Sequence, residues 1–465
     1  MKKLRSFDVS NDLSEIKLLD WKGKRLKRKI ALIYPNAYSL AVANLGFNRV
    51  FEIFSTSGFD VYRFVYEPGN SLLWPLDGAQ YIDTFKLCLF SVHYELDLFN
   101  VMRIFNASKI PALSRDRSGK HPVMVAGGAL TYFMPQALLD IFDVVYLGEI
   151  EPNAVELVQT ISYYYGSGRR ALMEALGGLP NVMVEDSVQD KSVAVSKDTK
   201  GFAKSVFLSK KGAFGKRFLL EVERGCRRAC RFCMVGHKMK PARYADLEWI
   251  LEELSRSQKY TRKVGLVGPT VVDHPRVEDI AAYLIEKDFD VSFSSMRVDG
   301  LSEVVIQALA KHQESFTIAP EGGSQKIRNF LGKGINEMHI SNAMKLGSKY
   351  GLKKVKMYFI YGTPVEEESD LVEIVRVSRE AKRFFKEVRV SLNPLIPKPG
   401  TPFETLEMLD QKELKRRERF LRKELRKEKI VAEFESIKDS VLQYRIARSN
   451  RGELFSILSE KGRAV

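Results

Sequence analysis

The chain has 465 residues, 45% of them hydrophobic and 28% charged, which suits about three globular domains and excludes a disordered or collagen-like protein. It contains only four cysteines, three of them in one short stretch, and this excludes a secreted disulfide framework. Lysine and arginine outnumber aspartate and glutamate by 74 to 58, and the net charge of +16 favours anionic partners.

The amino terminus carries lysines with no apolar segment after them, so we expect no secretory signal. No apolar run reaches the roughly 18 residues that a membrane-spanning helix needs, so we expect no membrane partner. Thiols stay reduced in the cytoplasm and can bind a metal there. We therefore expect a cytoplasmic protein.

Residues 1–165 alternate short apolar runs with helix-length amphipathic segments. The sequence predicts strands at Lys29–Tyr34, Leu87–Val92, Val123–Ala126 and Val144–Leu147, and helices at Asn44–Ser57, Glu95–Phe105 and Pro135–Ile141. Strands that alternate with helices predict right-handed crossovers and a parallel sheet with helices on both faces. We therefore expect an α/β, Rossmann-like first domain.

Residues 166–206 are predicted to link two domains, because Gly166–Arg170 and the polar stretch Asp190–Gly201 have turn-like composition. A second α/β series occupies residues 207–410. Its predicted strands are Arg217–Val222, Lys263–Val267, Asp290–Ser294, Ser315–Ile318, Val355–Ile360 and Val388–Asn393. Six strands separated by helix-length segments favour a partial (β/α)6 barrel, in which the chemistry lies at the carboxyl ends of the strands.

Residues 411–465 are predicted to form a basic helical extension. Gln411–Ile430 carries ten Lys or Arg against four Glu, with Leu414, Leu421 and Leu425 on one side of a helical wheel. One interpretation is a solvated basic helix packed on the barrel. The other is a face that binds a polyanion such as RNA.

The cysteines Cys226, Cys230 and Cys233 have the spacing C-x3-C-x2-C directly after a predicted strand. Three thiolates this close together can hold three irons of a cubane cluster and leave the fourth iron open to a chelating molecule. An open coordination position distinguishes a reactive metal site from a structural one. A zinc site that adds His237, a redox pair of Cys230 and Cys233, and coincidence are the alternatives, and the spacing favours the cluster.

With Phe232 before its third cysteine, this motif resembles the radical SAM superfamily, and the resemblance covers residues 217–403. The later segments resemble, in order, the family's motifs that contact S-adenosylmethionine (SAM), although residues 264–270 depart from the usual Gly-Gly-Glu. The resemblance implies that SAM contacts come from Phe232, Gly268, Ser295, Arg297, Glu321, Arg328, Gly362 and Asn393. Alternatively, Gly268 and Gly362 lie in plain turns, Glu321 and Arg328 form a surface ion pair, and Arg297 belongs to a structural ion pair.

Residues 31–151 resemble the cobalamin-binding domain that precedes many radical SAM enzymes. The residues that carry this resemblance include Gly127, Gly128, Thr131, Gly148 and Glu149, and the resemblance implies that these five contact the cobalamin. The Asp-x-His-x-x-Gly signature that supplies a histidine to cobalt is absent, and Asn36–Tyr38 stands in its place. The domain is therefore either a cobalamin-binding domain or a cofactor-free scaffold. His93 is interpreted as a core or capping histidine and Cys88 as a small buried hydrophobic residue.

The resemblance implies an enzyme whose three cysteines hold a [4Fe–4S] cluster that reductively cleaves SAM to a 5′-deoxyadenosyl radical. A donor such as flavodoxin or ferredoxin would supply the electron, and the substrate is unknown. Cobalamin-dependent methylation is the leading subtype, and modification of RNA or another substrate without cobalamin is the alternative. The isolated Cys88 argues against a methylthiotransferase, whose first domain carries its own three cysteines. A zinc-stabilised nucleic-acid-binding protein without catalysis is the alternative from a different class.

Overall fold

The computed structural model describes residues 13–19, 27–69, 72–185, 191–294 and 296–460. These residues form two compact units. The first takes in the described residues up to Asp198 together with 203–217 and 445–460, and the second takes in 199–202 and 218–444. Among the described helices, none has both the length and the apolar character needed to cross a membrane.

The first unit is built around a mixed sheet of seven strands. The strands of this unit are β1 Ile16–Lys17, β2 Lys29–Tyr34, β3 Asp60–Glu67, β4 Leu72–Pro75, β5 Leu87–Ser91, β6 Val123–Gly127, β7 Val144–Tyr146, β8 Val182–Val184 and β9 Phe207–Leu208. The sheet order is β4-β3-β2-β5-β6-β7-β8, with the five inner strands parallel and the two edge strands antiparallel to their neighbours. β1 pairs separately with β9.

Helices connect the parallel strands of the first unit. They are α1 Tyr38–Ala43, α2 Leu45–Thr56, α3 Asp97–Ala107, α4 Pro135–Leu138, α5 Ala154–Tyr164 and α6 Arg169–Gly177. α2 begins where the side chain of Asn44 accepts a hydrogen bond from the Phe47 amide at 2.8 Å, which satisfies a free donor of the first turn. β2 is buried at all but its first residue because a parallel strand is covered on both faces.

The four strands predicted in this unit are confirmed to within about one residue at each end. Two predicted helices are also observed, shifted by one or two residues, and the third is shorter and ends at Leu138. β3 was not predicted because it contains a buried charge. Arg63 is 3% exposed and forms ion pairs of 2.8 Å with both Glu15 and Asp77, which are distant in sequence.

The second unit contains two parallel sheets. Its strands are β10 Phe218–Glu221, β11 Glu223–Arg224, β12 Arg243–Tyr244, β13 Lys263–Val267, β14 Asp290–Phe293, β15 Ser315–Glu321, β16 Lys354–Tyr361, β17 Glu387–Pro394 and β18 Val431–Phe434. One sheet has the order β10-β13-β14, the other β15-β16-β17-β18, and β11 pairs with β12 as a short antiparallel ribbon. A parallel bridge between Met296 and Ile318 joins the end of the first sheet to β15. The carboxyl ends of these parallel strands therefore lie along a common edge. All six strands predicted in this unit are observed.

Helices alternate with these strands, as in a βα series. They are α7 Val235–Lys238, α8 Leu247–Ser257, α9 Val277–Glu286, α10 Glu303–Ala310, α11 Gln325–Phe330, α12 Glu337–Lys349, α13 Glu368–Ala381, α14 Gln411–Lys427 and α15 Ile437–Ala447. The last helix, α16 Leu454–Ser459, belongs to the first unit. There the Gly452 amide donates to Asp140 at 2.8 Å.

The observed units divide the chain differently from the predicted segments. The stretch predicted as a linker contains α6 and β8. β8 pairs with β7 and forms one edge of the seven-stranded sheet of the first unit. The predicted tail begins with α14, whose Leu414, Leu421 and Leu425 are fully buried, and continues into β18, which pairs with β17. A strand was not expected there, and its pairing partner lies far back in the sequence.

Candidate active site around the cysteine loop

The three clustered cysteines lie on a loop that follows β10 and β11. Cys226 and Cys230 are each 7% exposed, and Cys233 is half-buried. Gly225 has a φ of +72°, and an added Cβ there would lie 2.2 Å from the Met239 carbonyl oxygen. At Gly236 an added Cβ would lie 2.1 Å from the Arg228 carbonyl oxygen. The loop therefore folds so tightly on itself that only glycine fits at these two positions.

Cys226 and Cys233 face hydrogen-bond donors. The Arg228 amide donates to Cys226 Sγ at 3.3 Å, and the Thr270 hydroxyl lies 3.7 Å from the same sulfur. Burial raises the pKa of the Cys233 thiol, while hydrogen bonds from the Val235 and Gly236 amides lower it. Donors aimed at a sulfur stabilise the thiolate, the form that binds a metal.

Cys230 faces positive charge. Arg297 Nη1 lies 3.7 Å from its sulfur, and both Arg297 and Lys333 are buried, at 3% and 7% exposed. Burial raises the pKa of the Cys230 thiol, and the Lys333 and Arg297 cations act in the opposite direction. Lys333 pairs with Glu321 at 3.1 Å, and Glu321 has a φ of +65°. A non-glycine residue rarely adopts this left-handed conformation, which costs about 1 kcal/mol or more and is found mainly at functional sites.

An ion-pair network fastens the cysteine loop to the segments that follow β13 and β14. Arg228 pairs with Asp273 at 2.6 Å and with Asp299 at 3.2 Å, and Arg297 pairs with Asp299 at 2.9 Å. Burial opposes ionisation of Asp273, but the hydrogen bonds from Arg228 and Arg227 hold its pKa below the usual range. Three segments that are distant in sequence are thereby held together around the thiols.

The donor set fits an iron–sulfur cluster better than a single metal ion. Within the described ranges, no three His, Cys, Asp or Glu side chains are arranged to share one ion. His237, the predicted fourth zinc ligand, instead places Nε2 at 3.0 Å from the Cys230 carbonyl oxygen. The ligands of a cubane cluster bind different irons and need not converge on one point.

Six of the predicted SAM contacts lie near this loop or near the carboxyl ends of the strands, since Gly268 and Gly362 directly follow β13 and β16. Ser295 falls outside the described residues. Arg297 and Glu321 are in the environment of Cys230, as described above. Phe232 packs against a small apolar cluster that includes Leu331 and Leu395. Asn393 is half-buried near the carboxyl end of β17.

Gly268 is surrounded by protein. An added Cβ there would lie 2.8 Å from the Cβ of Glu223. Glu223 is buried and accepts hydrogen bonds from the Thr270 amide at 2.6 Å and the Thr270 hydroxyl at 2.8 Å, and burial raises its pKa. Position 268 therefore has to be glycine, because the Glu223 side chain fills the space beside it. Thr270 hydrogen-bonds to the Glu223 carboxylate, and its hydroxyl lies near Cys226 Sγ.

Arg328 and Gly362 are also committed to internal contacts. Arg328 is 1% exposed, donates to the Gly323 carbonyl at 2.7 Å and pairs with Glu337 at 2.9 Å. The surface pair with Glu321 considered from sequence is therefore wrong, because Arg328 is buried and Glu321 pairs with Lys333. At Gly362 the φ is +82°, and an added Cβ would lie 2.6 Å from Leu414 Cδ2.

The predicted cobalamin contacts in the first unit mostly face protein. An added Cβ at Gly128 would lie 2.5 Å from the Val92 carbonyl oxygen, and one at Gly148 would lie 2.3 Å from that of Ala194. Thr131 donates to the Gly128 carbonyl at 2.8 Å. Glu149 accepts from the Ser196 amide at 2.7 Å. Gly127 differs, since an added Cβ there meets nothing within 4 Å.

His93 and Cys88 are occupied within the first unit. His93 Nε2 lies 2.8 Å from the Ser91 hydroxyl, and its Nδ1 accepts from the Ala129 amide at 3.4 Å. Burial lowers the pKa of His93 to about 4. Cys88 is fully buried in β5. These contacts fit a structural histidine and a small core residue, and neither side chain is arranged to bind cobalt.

Sequence reasoning did not single out Glu223, Thr270, Asp273, Asp299 or Lys333. Glu223 lies on β11, three residues before Cys226. The other four reach the cysteine loop only because βα crossovers return them to the common strand edge. The one available signal was position, since Thr270, Asp273 and Asp299 follow the predicted strands β13 and β14 closely.

Comparison with known proteins agrees with this geometry. Residues 61–184 match the family described as "Radical SAM proteins, N-terminal", and residues 220–377 match the "Radical SAM superfamily". The uncharacterized protein MJ0966 of Methanocaldococcus jannaschii is 30% identical over 92% of this chain and 90% of its own length. The threonylcarbamoyladenosine tRNA methylthiotransferase MtaB of Aquifex aeolicus is 21% identical over 51% of this chain and 60% of its own length.

Among solved structures, the cobalamin-dependent S-adenosylmethionine radical enzyme OxsB has a TM-score of 0.54 and 16% identity, covering 76% of this chain. This chain covers 52% of the OxsB chain, and the likeness shows a shared mixed α/β fold. The two family matches, together with the full-length relative and the three-thiol loop, establish that the chain belongs to the radical SAM superfamily and is a radical SAM enzyme.

Proposed function

We propose that Cys226, Cys230 and Cys233 hold a [4Fe–4S] cluster with one open iron, at which SAM binds. When bound, the cluster and SAM supply a one-electron cleavage that yields a 5′-deoxyadenosyl radical, which abstracts hydrogen from the substrate. The observation that carries the proposal is the set of three thiols on a glycine-locked loop, with amide and guanidinium donors directed at the sulfurs. The protein's part is binding, orientation and exclusion of water.

The surrounding side chains divide into two roles. Arg297 and Lys333 place positive charge beside Cys230 and thereby stabilise its thiolate. Arg228 and Asp273 hold the loop against the carboxyl ends of the strands, where a partial barrel carries its chemistry. The charge beside Cys230 and the fixed loop together keep three sulfurs ready to bind iron.

Two of the predicted SAM contacts are best supported. Arg297 and Glu321 lie beside Cys230, and the left-handed backbone of Glu321 keeps its carboxylate there. We propose these two as the polar contacts and Phe232 and Asn393 as neighbours of the bound SAM. Gly268, Arg328 and Gly362 are better explained as structural residues.

We further propose that the two parallel sheets of the second unit form one partial (β/α)6 barrel, extended by β18. The Met296–Ile318 bridge supports this continuity, because it continues the parallel order across the gap between the sheets. In the first unit, five parallel strands with helical crossovers support a Rossmann-like arrangement.

Cobalamin-dependent methylation is the proposed subtype, and the fold shared with OxsB is its support. The predicted cobalamin contacts do not add to that support, because Gly128, Gly148 and His93 are filled or paired within the protein. We derive no step through cobalamin for this reason. A cytoplasmic location and an electron donor of the flavodoxin or ferredoxin class complete the proposal.

The activity of the methylthiotransferase relative is not part of the proposal. Among the described residues of the first unit, Cys88 is the one cysteine, so no second cluster can be built there from described thiols. Membership of the superfamily also leaves no place for the zinc-binding, non-catalytic alternative.

The experiment is anaerobic reconstitution with iron and sulfide, followed by reduction in the presence of SAM. Native protein should hold about four irons per chain and release 5′-deoxyadenosine. C226A, C230A and C233A should each lose the cluster and the release, whereas the buried control C88A should keep both. Turnover in any of the three variants, or one zinc per chain in the native protein, would contradict the proposal.

Metal analysis of the same preparations tests the subtype. Protein isolated from cells supplied with cobalamin should contain about one cobalt per chain if cobalamin-dependent methylation is correct. Absence of cobalt, with intact iron and SAM cleavage, would remove that subtype and leave the radical chemistry standing.

A further inference from the structure

A basic groove lies on the second unit between α14 and the end of β18. Its volume is about 810 Å³. It is lined by five cations, which are Lys412, Lys415, Arg419, Arg422 and Lys438. Two carboxylates, Glu418 and Glu435, also line it, so the groove carries a net charge of +3. A concentration of one sign of charge in a concave surface attracts ions of the opposite sign.

Most of these cations have no internal partner. Lys412, Lys415, Arg419 and Lys438 are exposed, and none forms an ion pair with any side chain in the described part of the sequence. Arg422 is held at the groove by Glu418 at 2.6 Å and by the ring of Phe434, 4.1 Å from its centroid. These four exposed cations are therefore available to bind an anion from solution.

Other cations of α14 differ in this respect. Arg417 is buried and pairs with Glu366 at 2.6 Å, and Arg416 pairs with Glu413 at 2.7 Å. The cations of the helix therefore fall into different groups. Arg417 fastens the helix to the unit, others pair within the helix or are exposed away from the groove, and four line the groove.

The spacing of the groove cations suits a linear polyanion. Lys412, Lys415, Arg419 and Arg422 recur every three or four residues and so lie on one face of the helix. They extend over about 15 Å, which is several times the roughly 3.4 Å of helix axis per phosphate of one stacked strand. A single small phosphate ligand would not need a row of this length.

The groove lies at the carboxyl end of β18. Phe434 ends β18, where it lies beside Leu392 of β17, and its ring contacts Tyr361, the last residue of β16. The carboxyl ends of these strands share their edge with that of β10, which precedes the cysteine loop. A nucleic-acid strand bound in the groove would therefore lie at the same sheet edge as the cysteine loop.

We infer that this groove binds the phosphate backbone of a single-stranded polynucleotide and that this polynucleotide carries the substrate, the second part resting on the proposed function. Arginine and lysine side chains along a groove are a usual means of binding a single strand without reading its sequence, and among the described residues that line this groove Phe434 is the aromatic one. An acidic peptide would meet the same charges, and the experiment below separates it from a polynucleotide.

The test is binding of a labelled single strand of about 20 nucleotides, followed by fluorescence anisotropy over a range of salt concentrations. The groove variant is K415Q/R419Q/K438Q. The matched control is K423Q/R426Q/K429Q, which removes three exposed, unpaired cations of the described chain that do not line the groove. Both variants change the net charge equally, so a difference between them reports position.

The groove variant should bind at least about tenfold more weakly, and its plot of log affinity against log salt should be flatter by about 2, since each lost phosphate contact contributes about 0.7. The control should bind as the native protein does. Equal weakening of both variants would overturn the inference, and so would a polyglutamate peptide that competes as well as the polynucleotide. RNA and DNA of one sequence are both measured, and tighter binding of RNA identifies a contribution of the 2′-hydroxyl.

The failure of this inference is distinguishable from the failure of the proposed function. C226A should bind the strand as tightly as native protein, because the groove contains no cluster ligand. Native protein that binds the nucleic acid but does not cleave SAM would contradict the proposed function alone. SAM cleavage with no groove-dependent binding would contradict this inference alone.

Discussion

Both units have glycines where one backbone segment packs closely against another, and the two units differ in the polar groups around those glycines. In the first unit, Gly128 and Gly148 let backbone segments of that unit approach one another closely. In the second unit, Gly225 and Gly236 do the same for the cysteine loop. In both places the lack of a side chain is required by protein backbone, so such glycines do not by themselves indicate a ligand.

What distinguishes the two regions is the set of polar groups left over. At the strand ends of the first unit, His93 is paired with Ser91 and Ala129, and Asn36 donates to Asp97 at 2.7 Å. Around the cysteine loop, three thiols face amides and the cations Arg297 and Lys333. Positive charge beside a thiol favours the ionised thiolate, which is the form that binds a metal. The cysteine loop is therefore identified as the metal site by the groups around its sulfurs.

The largest expected effect comes from G225A. The added methyl would lie 2.2 Å from the Met239 carbonyl oxygen. Together with the positive φ, this contact should raise the free energy of the native loop conformation by about 3 kcal/mol or more. Most of the iron and all SAM cleavage should be lost. G351A is the matched control, because Gly351 has a φ of +82° with nothing within 4 Å, and it should keep its iron. Similar iron contents in the two variants would contradict the role of the loop.

G128A tests the corresponding claim for the first unit. Its methyl would lie 2.5 Å from the Val92 carbonyl, so the free energy of unfolding should fall by about 3 kcal/mol in denaturant titrations. G58A, at a φ of +87° with open space around it, should lose about 1 kcal/mol. Iron content should stay unchanged in both. If G128A were as stable as G58A, the glycine would have to be explained by a ligand.

H93Q tests, through the pH dependence of stability, whether burial in the first unit keeps His93 neutral. The folded pKa of His93, lowered to about 4 by burial, lies below its unfolded value of about 6.5. Between these values the unfolded chain takes up a proton and the folded chain does not, so stability falls as the pH falls, by about 3 kcal/mol in total.

The measurement is the difference in unfolding free energy between native protein and H93Q from pH 7 to pH 4. A difference is needed because burial raises the pKa of Asp97 to about 6, and its titration has the opposite effect in the same pH range. The native protein should lose stability relative to H93Q as the pH falls. A constant difference would mean that His93 is not held neutral.

The smallest effect is expected from K333Q. Removing a cation beside Cys230 should make reduction of the cluster less favourable and lower its midpoint potential by about 60 mV, which corresponds to a tenfold change in a one-electron equilibrium. K326Q is the control, since Lys326 pairs with Asp370 at 3.1 Å on α11 and is partly exposed. A midpoint potential in K333Q equal to that of K326Q would show that the Lys333 charge does not act on the cluster.

Much of the fold could be predicted because its parallel strands are short apolar runs between helices. β3 and β18 could not be predicted, for different reasons. β3 carries Arg63 in a buried strand, where it is tolerated because two carboxylates from other segments pair with it. β18 follows a long basic helix and is a strand only because β17 offers it an edge.

The site was predictable in its ligands but not in its surroundings. The spacing of the three cysteines is local, so the sequence displays it directly. Lys333 and Thr270 come near the thiols only through long crossovers. Thr270 is marked only by its position after β13, and nothing local marks Lys333. The resemblance implied that Arg328 contacts SAM, whereas in the structure its side chain is buried, donates to the Gly323 carbonyl and pairs with Glu337.

The most direct measurement of the central claim is electron paramagnetic resonance of the reduced cluster with and without SAM. Because three protein sulfurs leave one iron open, addition of SAM should change the spectrum of native protein and of C88A. A spectrum from a reduced cluster that is indifferent to saturating SAM would contradict an open iron and with it the proposed chemistry.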